Sequence, residues 1–281
     1  MHSYTRISQL RGRLARWRHA GETVALVPTM GNLHAGHLDL IKEAQQSARR
    51  VVATIFVNPV QFVAGEDYAS YPRTLDADRK ALADAGVDAL FHPEVDEIYP
   101  DGVPQATHVS VTGLDGILCG KFRPGHFAGV ATVVTKLFVI VQPDVAVFGL
   151  KDYQQLLVIR RLARELNFPV TITGVETVRE EDGLALSSRN QYLSGAERRT
   201  APLLYQSLRH IASAIEAGVV NYSTLEQAAA GELDSAGFRV EYVSVRDAAT
   251  LGDPAPGADL VALAAAWLGP ARLIDNVVIG R

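Results

Sequence analysis

The chain has 281 residues, 48% of them hydrophobic and 21% charged, the balance of an ordinary soluble protein with length enough for two domains. A formal net charge of −4 argues against a general nucleic-acid binder, though not against a small basic pocket for phosphate. The single cysteine, Cys119, excludes an intramolecular disulfide and a cysteine-rich zinc site, and it fits a reducing compartment.

In chain order, Ile7 to about Arg18 places Ile7, Leu10, Leu14 and Trp17 on one face and reads as a short amphipathic helix. No apolar signal core follows this basic stretch. Thr23 to Val27 is an apolar run that reads as a buried parallel strand. It leads into Pro28-Thr29-Met30-Gly31-Asn32-Leu33-His34-Ala35-Gly36-His37, and Leu38 to Ala44 opens a helix. Strand, glycine-bearing turn and helix start make a natural anion site, because first-turn amides are unpaired and the dipole favours negative charge there. Gly31 and Gly36 remove side chains where a phosphate chain would approach the backbone. His34 and His37, one turn apart, share a face and can reach the same phosphate. The plain alternative is a capped helix with two surface histidines; the strand–turn–helix context favours a nucleotide site. Zinc is rejected, since the spacing is not His-Glu-x-x-His and no third ligand is apparent.

Val51 to Val57 is a second apolar run without alternation, as expected of a strand buried on both faces, and it ends at Asn58-Pro59. Leu75 to Ala85 reads as a helix stopped by Gly86, and Ala89 to Phe91 as a third strand. Val95 to Gly125 is irregular and closes on the basic loop Gly120 to His126, in which Arg123 and His126 are weaker ligand candidates. His126 to Val141 is a mostly buried helix whose apolar run is interrupted by Lys136 and is too short to span a bilayer. A soluble, cytoplasmic chain with no membrane partner is expected. Asp144 to Gly149 is a strand, Gly149 to Gln155 turns into a helix reaching about Leu166, and Val170 to Thr173 is the last strand of the sheet.

Glu180-Glu181-Asp182-Gly183 is a polar break and a candidate hinge. Beyond it, Ala196–Ala217 and Ser223–Ala236 read as helices, and Arg239–Val245, Asp259–Leu268 and Arg272–Ile279 as strands. The fold class expected is α/β: a Rossmann-like doubly wound parallel sheet over residues 1–179, then a smaller α+β lid domain over 180–281.

Three later segments offer donors, mostly at strand ends, where ligands bind in open α/β sheets. In Phe56 to Phe62, Gln61 carries a donor and an acceptor and can hold a hydroxyl and a carboxylate without adding charge. In Phe148 to Leu156, Gly149 permits close backbone approach and Lys151 offers a point charge for phosphate. Asp152 could hold magnesium or a ribose hydroxyl, or simply cap the helix. In Leu186 to Ser194, the hydroxyls of Ser187 and Ser188 beside Arg189 suit β- and γ-phosphates.

Together these segments resemble the pantothenate synthetase (pantoate–β-alanine ligase) family of the nucleotidylyl-transferase superfamily. His34-Ala35-Gly36-His37 matches the superfamily's His-x-Gly-His box, and Phe56 to Phe62, Tyr71-Pro72-Arg73-Thr74-Leu75, Phe148 to Leu156 and Leu186 to Ser194 match the family pattern without departure. The resemblance implies an AMP-forming ligase that joins pantoate to β-alanine through a pantoyl adenylate. It implies that ATP lies against Met30, Gly31, Asn32, Leu33, His34, Ala35, Gly36, His37, Gly149, Leu150, Lys151, Asp152, Val178, Leu186, Ser187, Ser188 and Arg189. It also implies that Gln61 and Gln155 contact pantoate and Gln61 contacts β-alanine. His37, His34, Lys151 and Arg189 are the catalytic candidates, Mg2+ is expected with ATP, and a homodimer is implied. The other readings are a different nucleotidyl transferase, disfavoured by Gln61 and Gln155, and a non-catalytic nucleotide-binding module, disfavoured by intact His34, His37, Lys151 and Arg189. A class I aminoacyl-tRNA synthetase shares the histidine box, but no basic RNA-binding surface is found.

Overall fold

The computed structural model describes residues 1–280. Val24, Ala25, Leu26 and Val27 have no exposed surface, which only a strand covered on both faces can achieve. That strand, β2 (Val24–Thr29), lies inside a six-stranded sheet ordered β1-β4-β3-β2-β5-β6. The others are β1 (His2–Tyr4), β3 (Arg50–Ile55), β4 (Ala89–Phe91), β5 (Val145–Gly149) and β6 (Thr171–Val175), and every pairing is parallel. The polar edge strand β1 has no apolar run to mark it in the sequence; it is recognised only by its pairing with β4.

Helices α1 (Ile7–His19), α2 (Ala35–Ser47), α3 (Leu75–Asp84), α4 (Val95–Ile98), α5 (Cys119–Phe122), α6 (His126–Val141) and α7 (Tyr153–Glu165) connect these strands. From β2 the chain moves outward to β3 and β4, then returns to place β5 on the other side of β2. The strand order therefore reverses at β2/β5, and in such sheets the crevice beyond the carboxyl ends at that point receives the ligand.

The remaining elements are α8 (Gly195–Thr200), α9 (Leu203–Glu216), α10 (Tyr222–Ser235) and an antiparallel sheet β7-β8-β9 of Arg239–Asp247, Leu260–Leu268 and Ala271–Ile279. The single helix expected over Ala196–Ala217 is two helices, because Pro202 has no amide to continue the ladder. In β8, Ala262, Ala264, Ala265 and Ala266 are at most 1% exposed, so small side chains let neighbouring elements close on the strand. A bulge between Val240 and Tyr242 frees Glu241 from the ladder, and its carboxylate accepts from Trp267 Nε1 and Arg272 Nη2, each at 2.7 Å.

Two compact units result. One comprises Met1–Leu150 and Val158–Glu176, the other Lys151–Leu157 and the chain from Thr177. The Glu180–Gly183 turn lies inside the second unit. Among the described residues no helix is long and apolar enough to cross a membrane.

Candidate active site

In the first unit, the carboxyl ends of β2, β3 and β5 carry the turn to His34, the Asn58–Gln61 segment and Gly149-Leu150 respectively. Gly31 (φ +82°) and Asn32 (φ +51°) are both left-handed, and this conformation turns successive amides the same way. Those amides meet a carboxylate of the chain itself: Asp78 on α3 accepts from Asn32 N at 2.9 Å and Leu33 N at 2.8 Å, with Thr74 Oγ1 at 3.1 Å. A Cβ on Gly31 would stand 3.0 Å from Asp78 Oδ2 and 3.1 Å from Ile55 Cγ2. Gly31 thus clears room for Asp78, whose carboxylate takes up the Asn32 and Leu33 amides.

His34 is the N-cap of α2 and His37 is its third residue, with ring centroids 4.1 Å apart and planes tilted by 43°. His37 Nδ1 accepts from His34 N–H at 3.3 Å. An accepting Nδ1 puts the proton of a neutral imidazole on Nε2, so His37 offers an N–H donor; the tautomer is assigned from this partner.

Gln61 is 9% exposed, in the 3-10 turn Pro59–Gln61. Its orientation follows from Asn58, whose Oδ1 accepts from the Val60 amide at 3.3 Å and whose Nδ2 donates to the Gly129 carbonyl at 3.2 Å. Nδ2 also donates to Gln61 Oε1 at 3.0 Å, which turns Gln61 Nε2 toward Met30 Sδ, 3.4 Å away. The buried Tyr99 hydroxyl donates to Asn58 Oδ1 at 2.7 Å, and burial holds that phenol protonated by pushing its pKa well above the usual range. Helix α6 comes so close that a Cβ on Gly129 would lie 2.5 Å from Val60 O and 2.7 Å from Gln61 Cα.

The two weaker candidates also act on Gln61. Arg123 Nη1 lies 2.8 Å from His126 Nε2, and arginine only donates, so Nε2 accepts and Nδ1 carries the proton to the Gln61 carbonyl at 2.7 Å. Arg123 is itself held by Glu66, with Nη2 to Oε2 at 2.8 Å. His126 is 7% exposed and supports the Gln61 backbone.

The second unit holds Lys151, Asp152, Gln155, Val178 and Leu186 to Arg189, all half-buried apart from the buried Leu186 neighbour Ala185 that precedes them. Tyr153 OH donates to Ala248 O at 2.8 Å, and Asn276 Nδ2 donates to Lys151 O at 3.0 Å. Val178 to Leu186 is a hairpin: Leu186 N donates to Val178 O and Glu180 N to Leu184 O, each at 2.9 Å, with Arg179 bridged to Ala185. Ser187 Oγ accepts from Arg189 N at 3.2 Å, capping the 3-10 turn Ser188–Tyr192. Among the described residues no three His, Cys, Asp or Glu side chains converge on a metal-sized site.

Tyr99 and Asp78 carry no local motif and sequence reasoning missed them, while Asn58, inside the matched Phe56–Phe62 segment, was assigned no role. The only available signal was polar residues at strand and helix positions that burial would make costly.

A family model described as pantoate-beta-alanine ligase matches residues 2–278. The chain is 57% identical over 271 residues to a pantothenate synthetase of Thioalkalivibrio sulfidiphilus, covering 96% of this chain and 95% of that protein. It is 53% identical over 282 residues to one from Pseudomonas savastanoi pv. phaseolicola, covering all of both. A crystal structure of pantothenate synthetase from Thermus thermophilus superposes with a TM-score of 0.92 at 47% identity, covering 100% of each chain. A pantoate-beta-alanine ligase from Francisella tularensis, solved with beta-gamma ATP and beta-alanine, gives 0.83 at 33% identity, covering 99% of this chain and 97% of that one. The fold order, the strand-end histidines and these matches together make the chain a member of the pantoate–β-alanine ligase family.

Proposed function

We infer that the chain catalyses ATP-dependent joining of pantoate and β-alanine to give pantothenate, AMP and pyrophosphate. The family match over residues 2–278 carries this reading. In the first step a pantoate carboxylate oxygen attacks the α-phosphorus of ATP and pyrophosphate leaves. In the second the amine of β-alanine attacks the acyl carbon of pantoyl adenylate, and AMP leaves with the pair of electrons from the broken acyl–oxygen bond.

The chain's own task is positioning and countercharge. ATP lies against Met30 to His37, Gly149 to Asp152, Val178 and Leu186 to Arg189. His37, through its Nε2–H, and His34 donate to phosphate oxygens, while Lys151, Ser187, Ser188 and Arg189 hold the charge that builds on pyrophosphate. A neutral donor suits His37 better than an acid, because protonating Nδ1 would break its bond to the His34 amide. Gln61 and Gln155 orient pantoate, and Gln61, whose Nε2 is set toward Met30 Sδ, also meets β-alanine. Mg2+ arrives with ATP as part of the substrate. Mg2+ is commonly bound by one or two carboxylates plus phosphates, which the single carboxylate of Asp152 fits. The working form is taken to be a homodimer in the reducing cytoplasm, where the one buried thiol, Cys119, has no need of a disulfide partner.

The test is product identity from purified protein with ATP, Mg2+ and pantoate, with and without β-alanine. AMP and pantothenate forming together only when β-alanine is present is the expected result. Pyrophosphate release without amide under both conditions would replace the ligase with another nucleotidyl transferase.

A further inference from the structure

Asp275 and Asn276 sit side by side on β9, 4% and 6% exposed. A buried carboxylate persists only where it is paired, and Asp275 is paired twice to one group. Arg179 Nη1 meets its Oδ2 at 2.6 Å and Nη2 its Oδ1 at 2.8 Å, a bidentate fork. The same guanidinium donates to Gly183 O at 3.1 Å and lies 3.6 Å above the Tyr205 ring. Tyr205 also backs the turn: Gly183 has φ +94°, and a Cβ there would stand 2.8 Å from Tyr205 Cδ1. The Val178–Leu186 hairpin is therefore clamped at its root by Asp275 and at its tip by Arg179 and Tyr205. The next residue after this hairpin's closing bond is Ser187, so the clamp fixes where Ser187, Ser188 and Arg189 begin.

Asn276 reaches a different segment. Its N–H donates to Asp275 Oδ1 at 2.8 Å, and its Nδ2 donates to the Lys151 carbonyl at 3.0 Å. One dipeptide of β9 thus holds two stretches far apart in sequence, each carrying a cation. The Arg272–Glu241 pair on the same sheet is also buried, and its carboxylate accepts from Trp267 of that sheet.

We propose that Asp275 and Asn276 are a positioning pair that sets the Lys151 and Leu186–Arg189 segments in one frame for the triphosphate. This rests on the ligase reading above. Neither residue touches substrate; both act through Lys151 and Arg179. The pair therefore governs adenylate formation, which needs the phosphates held, and leaves untouched the attack of β-alanine on an adenylate already made.

The test uses the full chain carrying Asn276→Ala, Asn276→Asp or Asp275→Asn, with two activities and a melting temperature. Asn276→Asp keeps the shape but removes the donor to Lys151. Pantoate-dependent exchange of labelled pyrophosphate into ATP reports the first step; pantothenate release from supplied pantoyl adenylate and β-alanine reports the second. The expected result for Asn276→Ala is exchange reduced by about tenfold with a raised KM for ATP, the effect of one lost hydrogen bond. Aminolysis stays within about twofold of wild type. Should Asn276→Asp or Asp275→Asn fail to fold, Asn276→Ala, which introduces no charge and keeps the Asp275–Arg179 pair, carries the decision. Exchange unchanged, or exchange and aminolysis falling together, would overturn the pair's role and leave it a clamp of the fold. Wild-type protein lacking exchange would instead overturn the ligase reading itself.

Discussion

Each unit places a buried carboxylate behind its own candidate residues: Asp78 in the first, Asp275 in the second, 3% and 4% exposed. Asp78 faces neutral donors, the amides of Asn32 and Leu33 and the Thr74 hydroxyl. Asp275 faces the full positive charge of Arg179. The first arrangement shapes backbone directly. The second shapes a side chain, which in turn shapes a hairpin. The difference teaches that a site can be held by two routes: saturating the amides of a turn, or stapling a loop to a strand through a buried ion pair. Both kinds of support lie outside the segments proposed to meet the ligand.

If support and chemistry are separable, replacing a supported residue should remove activity and spare the fold. His37→Ala is expected to lower pyrophosphate exchange by about 10²–10³-fold, the usual loss for one donor to developing charge. Its melting temperature should match wild type, and a variant that is active or unfolded would erase the distinction. Asp78→Ala is the converse. It removes the carboxylate acceptor of two amides in a half-buried turn, and urea unfolding should show a loss of about 2 kcal/mol, with activity falling as a consequence of the deformed turn. Full stability in that variant would mean the turn holds itself. Gly129→Ala tests a support that works by contact distance, since its Cβ must displace Val60 and Gln61. The expected outcome is a KM for pantoate raised by about tenfold with KM for ATP little changed. An equal rise for both substrates would show that the Gln61 segment is not a separate subsite.

The smallest effect sharpens the ion-pair half of the comparison. On the second unit's hairpin, the hydrogen bond from Arg198 holds the Asp182 carboxyl below its ordinary pKa. A depressed carboxylate adds stability that is fully present above its unfolded-state pKa and is lost as pH falls through the folded one. Melting curves should therefore show a slight extra loss on the acid side for wild type that Asp182→Asn lacks. The loss should shrink in high salt, because the pair is exposed.

The readable parts of this chain were those where one stretch of sequence carries the whole signal. β2 showed as an unbroken apolar run, and the histidine turn as glycines and histidines at fixed spacing between a strand and a helix. Gln61, Lys151 and Arg189 stand out as candidates because each follows a strand or stands in a polar loop with its neighbours in the family pattern. The rest depends on pairs that only folding brings together. Asp78 is 46 residues from the amide it holds at Asn32, and Asn276 is 125 from Lys151. Strand β1 failed to show because its three residues are polar or aromatic and partly exposed. The break at Pro202 is visible in the sequence as a residue without an amide, between the charged turn Gly195–Thr200 and the apolar-faced helix Leu203–Glu216.

Asp78 has one further consequence. The turn after β2 carries its own counter-anion, so its left-handed backbone is already assembled before any nucleotide arrives. A loop that must order itself on binding gives up part of its interaction energy to that ordering; this one does not. Sulfate or phosphate in a buffer likewise finds no open amide pair at Asn32 and Leu33 to occupy. Competition by small inorganic anions should then fall on the cationic residues of the second unit rather than on the turn.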